Sequence, residues 1–486
     1  MTWRSAITTT ILVLALTGPA LAAPTTRPTP TPTPTPSPGP GELTPMSVPV
    51  PSYVPLPPGQ FGIPSTASPV PLSLHDAKMI AVQKSPQLEL ARAALDLAGA
   101  QLETANSAAF PQINASGDAS RNKGQSRSGT TVGGITPSIF TSSTASITVQ
   151  QLIFDGGATY AKISQAKYSR DAASLSALRE VDTVLFSVAQ LYYTALQARY
   201  TYQVAIESRK LAQVQEQLVE AQYRAGVASK ADVLTAQLPV AQALLAEAQA
   251  ANGEQSEVAA LLNAMGLSSD SPVALNYEAE SQVPALPQYS TVQSIALAQR
   301  TDLQAAHASL TAAERGVRAA RASRYPSITG NGSIGTATTG VDSAGNIVTN
   351  GGNWTSTYSF GVGVTLPLYD SGLINGEVAA AVANTRTAAA NLTSTELGVS
   401  LSVRQAYLSA QTALQQVAAA KVEREQAQTV LDVTNAQYKA GVTTLPLLLN
   451  AQVGLTKANG DWVNALFAAY TAQQNLYFAE GIISNR

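Results

Sequence analysis

Between residues 74 and 109 the apolar positions Leu88, Ala91, Leu95, Ala98 and Leu102 recur at spacings of three and four, which predicts a helix with one apolar face. Pro111 stops it. The period then drops to two. Ile113, Ala115 and Gly117 mark a thin strand, and Ser146-Ile147-Thr148-Val149-Gln150 marks another beyond a loop rich in Gly, Ser and Thr. From Gly157 to Ala225 no proline interrupts 69 residues, enough for a helix of about 100 Å. Leu178, Val181, Leu185 and Val188 provide a coiled-coil seam along it. Gly226 ends this helix, and a return helix of about half the length is predicted from Ser229 to Met265. The helix ahead of the strands supplies the missing half, so the two short helices should stack end to end beside the long one.

The same succession appears again. Phe110-Pro111-Gln112-Ile113 recurs as Tyr325-Pro326-Ser327-Ile328, and Phe154-Asp155-Gly156-Gly157 as Tyr369-Asp370-Ser371-Gly372. Ala221-Gln222-Tyr223-Arg224-Ala225-Gly226-Val227 recurs as Ala436-Gln437-Tyr438-Lys439-Ala440-Gly441-Val442. Every pair lies 215 residues apart, which three unlike motifs would not keep by chance, so the chain is a tandem duplication. The second copy has the clearest strand, residues 358–366, where Tyr358, Phe360, Val362 and Val364 alternate with small or polar residues. Ile328, Gly330 and Gly332 mark its thinner partner. The expected fold is mainly α with a small antiparallel β part: long coiled-coil hairpins and four strands per chain. The first repeat should span 72–270, a linker 271–290, and the second repeat 291–486.

Strands of about 9–11 residues cross a bilayer, but only as a closed barrel, because lipid cannot satisfy a free strand edge. Four strands cannot enclose a useful pore, so several chains must contribute to one transmembrane barrel. Ile147, Val149, Tyr358, Phe360, Val362 and Val364 are the candidate barrel-strand positions, with Trp354, Tyr358 and Phe360 candidates for an aromatic belt, Trp354 reading equally as a loop aromatic. Long helices leading away from such a barrel would make a conduit.

The N-terminal region adds targeting. Arg4, the apolar run Ala6–Leu16 and Ala20-Leu21-Ala22 predict a signal peptide, residues 1–22, cleaved after Ala22. That run is too short for a membrane span, which needs roughly 20 residues. Residues 24–71 hold 17 of the 28 prolines, so 23–71 should be an extended linker, or alternatively a wall-binding or glycosylated stalk.

Composition narrows the chemistry. Charged residues make up 12% and the net charge is −2, so no dense basic surface for nucleic acid is expected. Cysteine is absent and the two histidines, His75 and His307, are isolated, so neither cofactor nor metal nor catalytic role is expected. Two other classes compete with a conduit. A pore-forming or periplasmic coiled-coil structural protein would not readily place two hairpins at equivalent points of a tandem repeat. A helical enzyme or solute-binding protein would need an acid/base cluster, a phosphate loop or metal-spaced ligands.

The junctions at Pro111 and Pro326, the Asp-Gly-Gly and Asp-Ser-Gly turns, and the two Tyr-x-x-Gly-Val helix tips occur in this order twice. On these residues, over roughly 72–482, the chain resembles the TolC-like outer membrane efflux protein family. The resemblance implies a homotrimer with a 12-stranded barrel in outer-membrane lipid, a helical periplasmic tunnel, a periplasmic adaptor and an inner-membrane pump. It also implies export of solutes, with no enzymatic activity expected. Members with a lipid anchor carry a cysteine after the signal, so no anchor is expected here. The resemblance assigns adaptor contact to Ala225, Gly226, Val227, Ala440, Gly441 and Val442; the plainer reading is that glycine only permits the turn. Asp232 fits a capping box with Ser229; by resemblance it is also placed to link with Tyr438 and close the aperture. Where members often carry a gating arginine and two aspartates, this chain has Thr443, Leu447 and Asn450. The expected constriction is therefore weakly charged and partly apolar. Arg121, Lys123 and Arg127 are expected in a solvated hairpin loop.

Overall fold

The computed structural model describes residues 70–127, 135–276, 286–342 and 354–483. The expected signal peptide and the expected linker up to residue 69 lie outside the described residues. The first repeat runs β1 (Val70–Leu72), α1 (Leu74–Lys84), α2 (Pro86–Ser107), β2 (Gln112–Arg127), β3 (Ile135–Phe154), α3 (Ala158–Arg224) and α4 (Lys230–Ala264). The second runs β4 (Val273–Leu275), α5 (Tyr289–Gln299), α6 (Thr301–Ala322), β5 (Ser327–Asp342), β6 (Thr355–Thr365), α7 (Leu373–Lys439) and α8 (Leu445–Glu480). Each helix of the second repeat begins 215 residues after its counterpart, so the duplication holds residue for residue in the backbone.

Three expectations are corrected. The single helix over 74–109 is two helices, broken at Ser85 (φ −64°, ψ 125°) because the ring of Pro86 forbids helical geometry in the residue before it. Arg300 breaks α5 from α6 with the same geometry (φ −63°, ψ 121°) and no proline. Its guanidinium holds the bend instead, donating to Asp302 through Nε at 3.0 Å and to Ser402 Oγ at 2.7 Å. Secondly, the expected linkers contribute strand residues: β4 lies within 271–290 and pairs in parallel with β1, which runs from the last two residues of 23–71 into Leu72, the first of the expected first repeat. Burial of Leu72 and Leu275 drives this pairing, and the Tyr192 hydroxyl clamps it, 3.2 Å from the Leu72 carbonyl oxygen and 2.5 Å from that of Asn276. Thirdly, Arg121, Lys123 and Arg127 lie within β2, which continues to Arg127 in register with β3.

The main core joins the repeats. Leu185, Val188 and Leu196 of the expected seam helix are buried, whereas Leu178 is 52% exposed and lies outside the core. α3 meets α8 through aromatic rings, with Tyr193 stacked on Tyr470 at 5.3 Å and Phe186 on Phe478 at 4.9 Å. Such pairs add about 0.5–1.5 kcal/mol each beyond burial. A second core gathers Val292, Val399, Val403 and Leu476 from α5, α7 and α8.

The expected end-to-end stacking is closed by two glycines. Gly266, just past α4, lies at φ +73° with its missing Cβ only 2.3 Å from the Lys84 carbonyl oxygen, so α4 abuts the α1–α2 bend. Gly481, past α8, sits equivalently against Arg300. Gly226 has similar φ, +77°, but open space around it. Gly226→Ala should therefore cost only the left-handed backbone penalty, about 1–2 kcal/mol. Gly266→Ala should cost about 1–3 kcal/mol more for forced displacement of the bend. Thermal melting of the two purified variants checks this; equal losses would contradict the stacking.

Candidate functional site: one sheet and two helical tips

The strands form one antiparallel sheet in the order β2-β3-β5-β6, leaving β2 and β6 as its edges. Register fixes the faces. Ala115, Ile147, Ile334 and Tyr358 stand in one row across the sheet, and Ile113, Val149, Gly332 and Phe360 in the next. This face is apolar and bare, with Phe360 83% and Tyr358 78% exposed. The opposite face is polar: Ser116 Oγ lies 3.0 Å from Ser146 Oγ, and Ser333 Oγ 2.8 Å from Ser359 Oγ. A greasy face over a hydroxylated one is the division a lipid-embedded barrel wall requires. Glycine lets the greasy face pack flat, since a Cβ on Gly332 would meet the Phe360 ring at 3.2 Å. All six expected strand positions thus share one face. Trp354 directly precedes β6 and is also exposed.

Aspartate turns connect this sheet to the long helices. The Asp155 carboxylate accepts from the amides of Gly157 (3.0 Å) and Thr159 (2.6 Å), and Asp370 from Gly372 (3.0 Å) and Ile374 (2.8 Å). These amides at the start of α7 hold the Asp370 carboxyl below its ordinary range. Each long helix has 67 residues, so its far end lies about 100 Å along the axis from the turn that launches it.

The far ends are alike. Gly226 donates to the Tyr223 carbonyl at 2.9 Å and Val227 to that of Gln222 at 2.9 Å; Gly441 and Val442 repeat the pattern at 3.0 and 2.9 Å on Tyr438 and Gln437. This pair of bonds is a Schellman termination, which requires the left-handed glycine. It consumes the last carbonyls of each helix and leaves Ala225, Gly226, Ala440 and Gly441 exposed, with Val227 at 80% and Val442 at 76%. An apolar side chain so bare at the apex of each hairpin has no role in this chain's own packing.

Asp232 completes a capping box at the start of α4. It accepts from the Ser229 amide at 2.9 Å and hydroxyl at 2.7 Å, and its own amide donates to Ser229 Oγ at 3.1 Å. The Ser229 side-chain bond, followed by the backbone bond, lowers the Asp232 carboxyl pKa. Tyr438 ties the two hairpins together. It packs on Val219, Ala236 and Leu445, and its hydroxyl donates to Gln222 at 2.9 Å, so Gln222 holds the tyrosine within this chain. Burial, and then the nearby Asp232 charge, raises the Tyr438 hydroxyl pKa. Thr443 is half-buried beside the tip, while Leu447 (52% exposed) and Asn450 share the outward face of the first turns of α8. Gln222 escaped sequence reasoning, although its place in the repeated Ala-Gln-Tyr was the available signal.

Chemical centres are scarce by comparison. Among the described residues no three His, Cys, Asp or Glu side chains gather as metal ligands, and no helix is long and apolar enough to cross a membrane. His75 and His307 are exposed on α1 and α6.

The comparisons agree with this geometry. Residues 80–267 and 292–481 match the outer membrane efflux protein family, one match for each repeat. Protein CyaE of Bordetella pertussis is 26% identical over 402 residues, covering 81% of this chain and 79% of that protein. The probable efflux pump outer membrane protein TtgC of Pseudomonas putida is 26% identical over 423 residues, covering 81% and 80%. The solved structure of the outer membrane protein VceC of Vibrio cholerae superposes with a TM-score of 0.70 at 20% identity, over 84% of this chain and 96% of that one. A matched family on both repeats, a one-sided apolar sheet and paired helical tips converge on one assignment: the chain belongs to the outer membrane efflux protein family.

Proposed function

We propose that the chain works as a homotrimer, the outer-membrane exit duct of an export assembly, opened when its tips engage a periplasmic adaptor and an inner-membrane transporter. The observation that carries this reading is the open four-stranded sheet, apolar on one face, at the head of helices that end in bare valines. Three sheets would close a 12-stranded wall, and the helices would extend it as a periplasmic tunnel. Transport is passive in this chain; energy and choice of solute belong to the transporter. Localisation to the outer membrane follows from the lipid requirement of the sheet.

The tips have separate tasks. Ala225, Gly226, Val227, Ala440, Gly441 and Val442 form the adaptor contact, with the valines as apolar anchors. Asp232 acts as a helix cap, and Tyr438 closes the gap between hairpins through Gln222. Thr443, Leu447 and Asn450 line a constriction of little charge.

Changing Val227→Asp and Val442→Asp together should abolish export while leaving a folded oligomer in the outer membrane; intact export would remove the adaptor assignment. Asp232→Asn keeps an acceptor for the cap and should leave closed-channel conductance unchanged, whereas a rise would make Asp232 part of a lock. Because the folded carboxyl pKa lies below the unfolded value of about 3.9, the charged cap contributes above that pH and is lost as pH falls through the folded pKa. Amide exchange at the start of α4 should accelerate there. Multivalent cations applied from the periplasmic side should block the native channel weakly. The double variant Leu447→Asp with Asn450→Asp should gain strong block; strong block of the native channel would refute the weakly charged constriction.

A further inference from the structure

We propose that the outer end of β2 is a docking site for anionic lipid: Arg121, with Lys123 and Arg127 beyond it on the same face, takes phosphate groups of outer-leaflet lipids whose chains lie over the apolar face beneath. This rests on the outer-membrane reading above and names the lipid chemistry that the sheet selects.

Charge in the four strands is sparse and sorted by face. β3 and β6 contain no charged residue, and β5 only Asp342. β2 contains Asp118, Arg121, Lys123 and Arg127. The three cations stand at odd positions, the parity of Ile113, Ala115, Gly117 and Ala119, which is the apolar face. Asp118 has the parity of Ser116 and belongs to the hydroxylated face. The connecting segments 128–134 and 343–353 add no charge of either sign. Asp342 shares the row of Lys123, two strands and about 10 Å away, whereas the row of Arg121 holds Thr141 and Gly340.

Strand length sets the depth of these cations. Arg121 lies nine residues beyond Gln112, the start of β2, about 31 Å along the strand and about 24 Å across a membrane at a tilt near 40°. The apolar band of a transmembrane barrel is about as tall, roughly 25 Å. Exposed aromatic residues bracket it, Phe110 just before β2 at the helical end and Trp354 just before β6 at the other. β6 gives a similar height independently. Ten residues separate Val364 from Trp354, about 34 Å along that strand and about 26 Å across. Arg121 therefore stands where hydrocarbon gives way to headgroups. A cation deeper on the lipid side would be destabilising, and β2 has none there.

A rim that only needed solvation would have no preference for one sign of charge. Three cations without an acid on this face of β2 fit a surface crowded with phosphate, which a guanidinium grips through two parallel hydrogen bonds. Arg121 is exposed to receive it. The same face is small-sided below. Gly117, four residues under Arg121, joins Ala145, Ile147 and Ile334 around a shallow depression of about 610 Å³, space for a hydrocarbon chain. A free anion would use the cations alone, whereas a phosphorylated lipid uses cations and depression together.

Full-length protein in detergent, titrated with lipid A carrying two phosphates, tests this by native mass measurement of the lipid retained per oligomer. The native chain should retain it in preference to dephosphorylated lipid A and to phosphatidylcholine, and an equal concentration of inorganic phosphate should not displace it. Arg121→Gln with Lys123→Gln should weaken retention about tenfold. Lys210→Gln with Lys421→Gln removes the same charge from exposed positions on the long helices and should change nothing. The comparison of phosphorylated with dephosphorylated lipid needs no variant, so a misfolded variant would not spare the proposal. Equal retention of the three lipids, an unaffected β2 variant, or displacement by inorganic phosphate overturns the lipid site alone. Protein that is soluble without detergent and retains none of the lipids overturns the outer-membrane reading and the lipid site with it.

Discussion

A strand edge in hydrocarbon has nowhere to place its amide and carbonyl groups, and each one left unsatisfied costs several kcal/mol. The sheet of this protein has two such edges, β2 and β6, below an apolar face whose largest side chains are almost bare. Those facts are incompatible with a finished monomer in either solvent. Water penalises the face and lipid penalises the edges. Closure through further copies resolves both at once, and the remaining architecture serves it. The aspartate turns launch the long helices from the sheet, the Ser85 and Arg300 bends fit the short helices beside them, and the glycine terminations return them.

The repeats preserve backbone and vary chemistry. Arg209 and Arg424 occupy equivalent positions on α3 and α7, yet Arg209 pairs with the buried Glu247 while Arg424 lies 4.2 Å over the ring of Trp462. The α1–α2 bend is imposed by a proline and its copy by an arginine. Around that copy, Arg179 sits 3.8 Å over Phe478 and reaches towards Asp302. Burial opposes the charge on Asp302, but the hydrogen bond and charge of Arg300, together with Arg179, keep its carboxyl below its ordinary range. Such a cluster costs desolvation and contributes specificity of pairing more than stability. Through Arg179 it marks α6 and α8 as neighbours of α3 in a protein whose helices otherwise resemble one another.

Much of this could be read from the chain. Periodicity located α2 and α3, and the 215-residue offset carried the start of every helix from one repeat to the other. The alternating residues from Tyr358 to Val364 revealed the apolar face, and Ser229 with Asp232 revealed the cap. What escaped was decided by tertiary contact. β1 and β4 are three residues each, too short for any period, and exist because Leu72 and Leu275 reach the core. The Ser85 break was available in the Ser-Pro step, but the Arg300 break depends on Asp302 and a serine 102 positions away. At the tip, Gln222 lies 216 positions from the tyrosine it holds, so pattern along the chain could not join them.

The central claim is that the folded unit is complete only as a closed barrel of several chains in the outer membrane. Native mass measurement of the protein extracted from purified outer membranes tests it most directly. The account predicts particles of three chains that appear only with detergent; a single chain released by osmotic shock without detergent would contradict it.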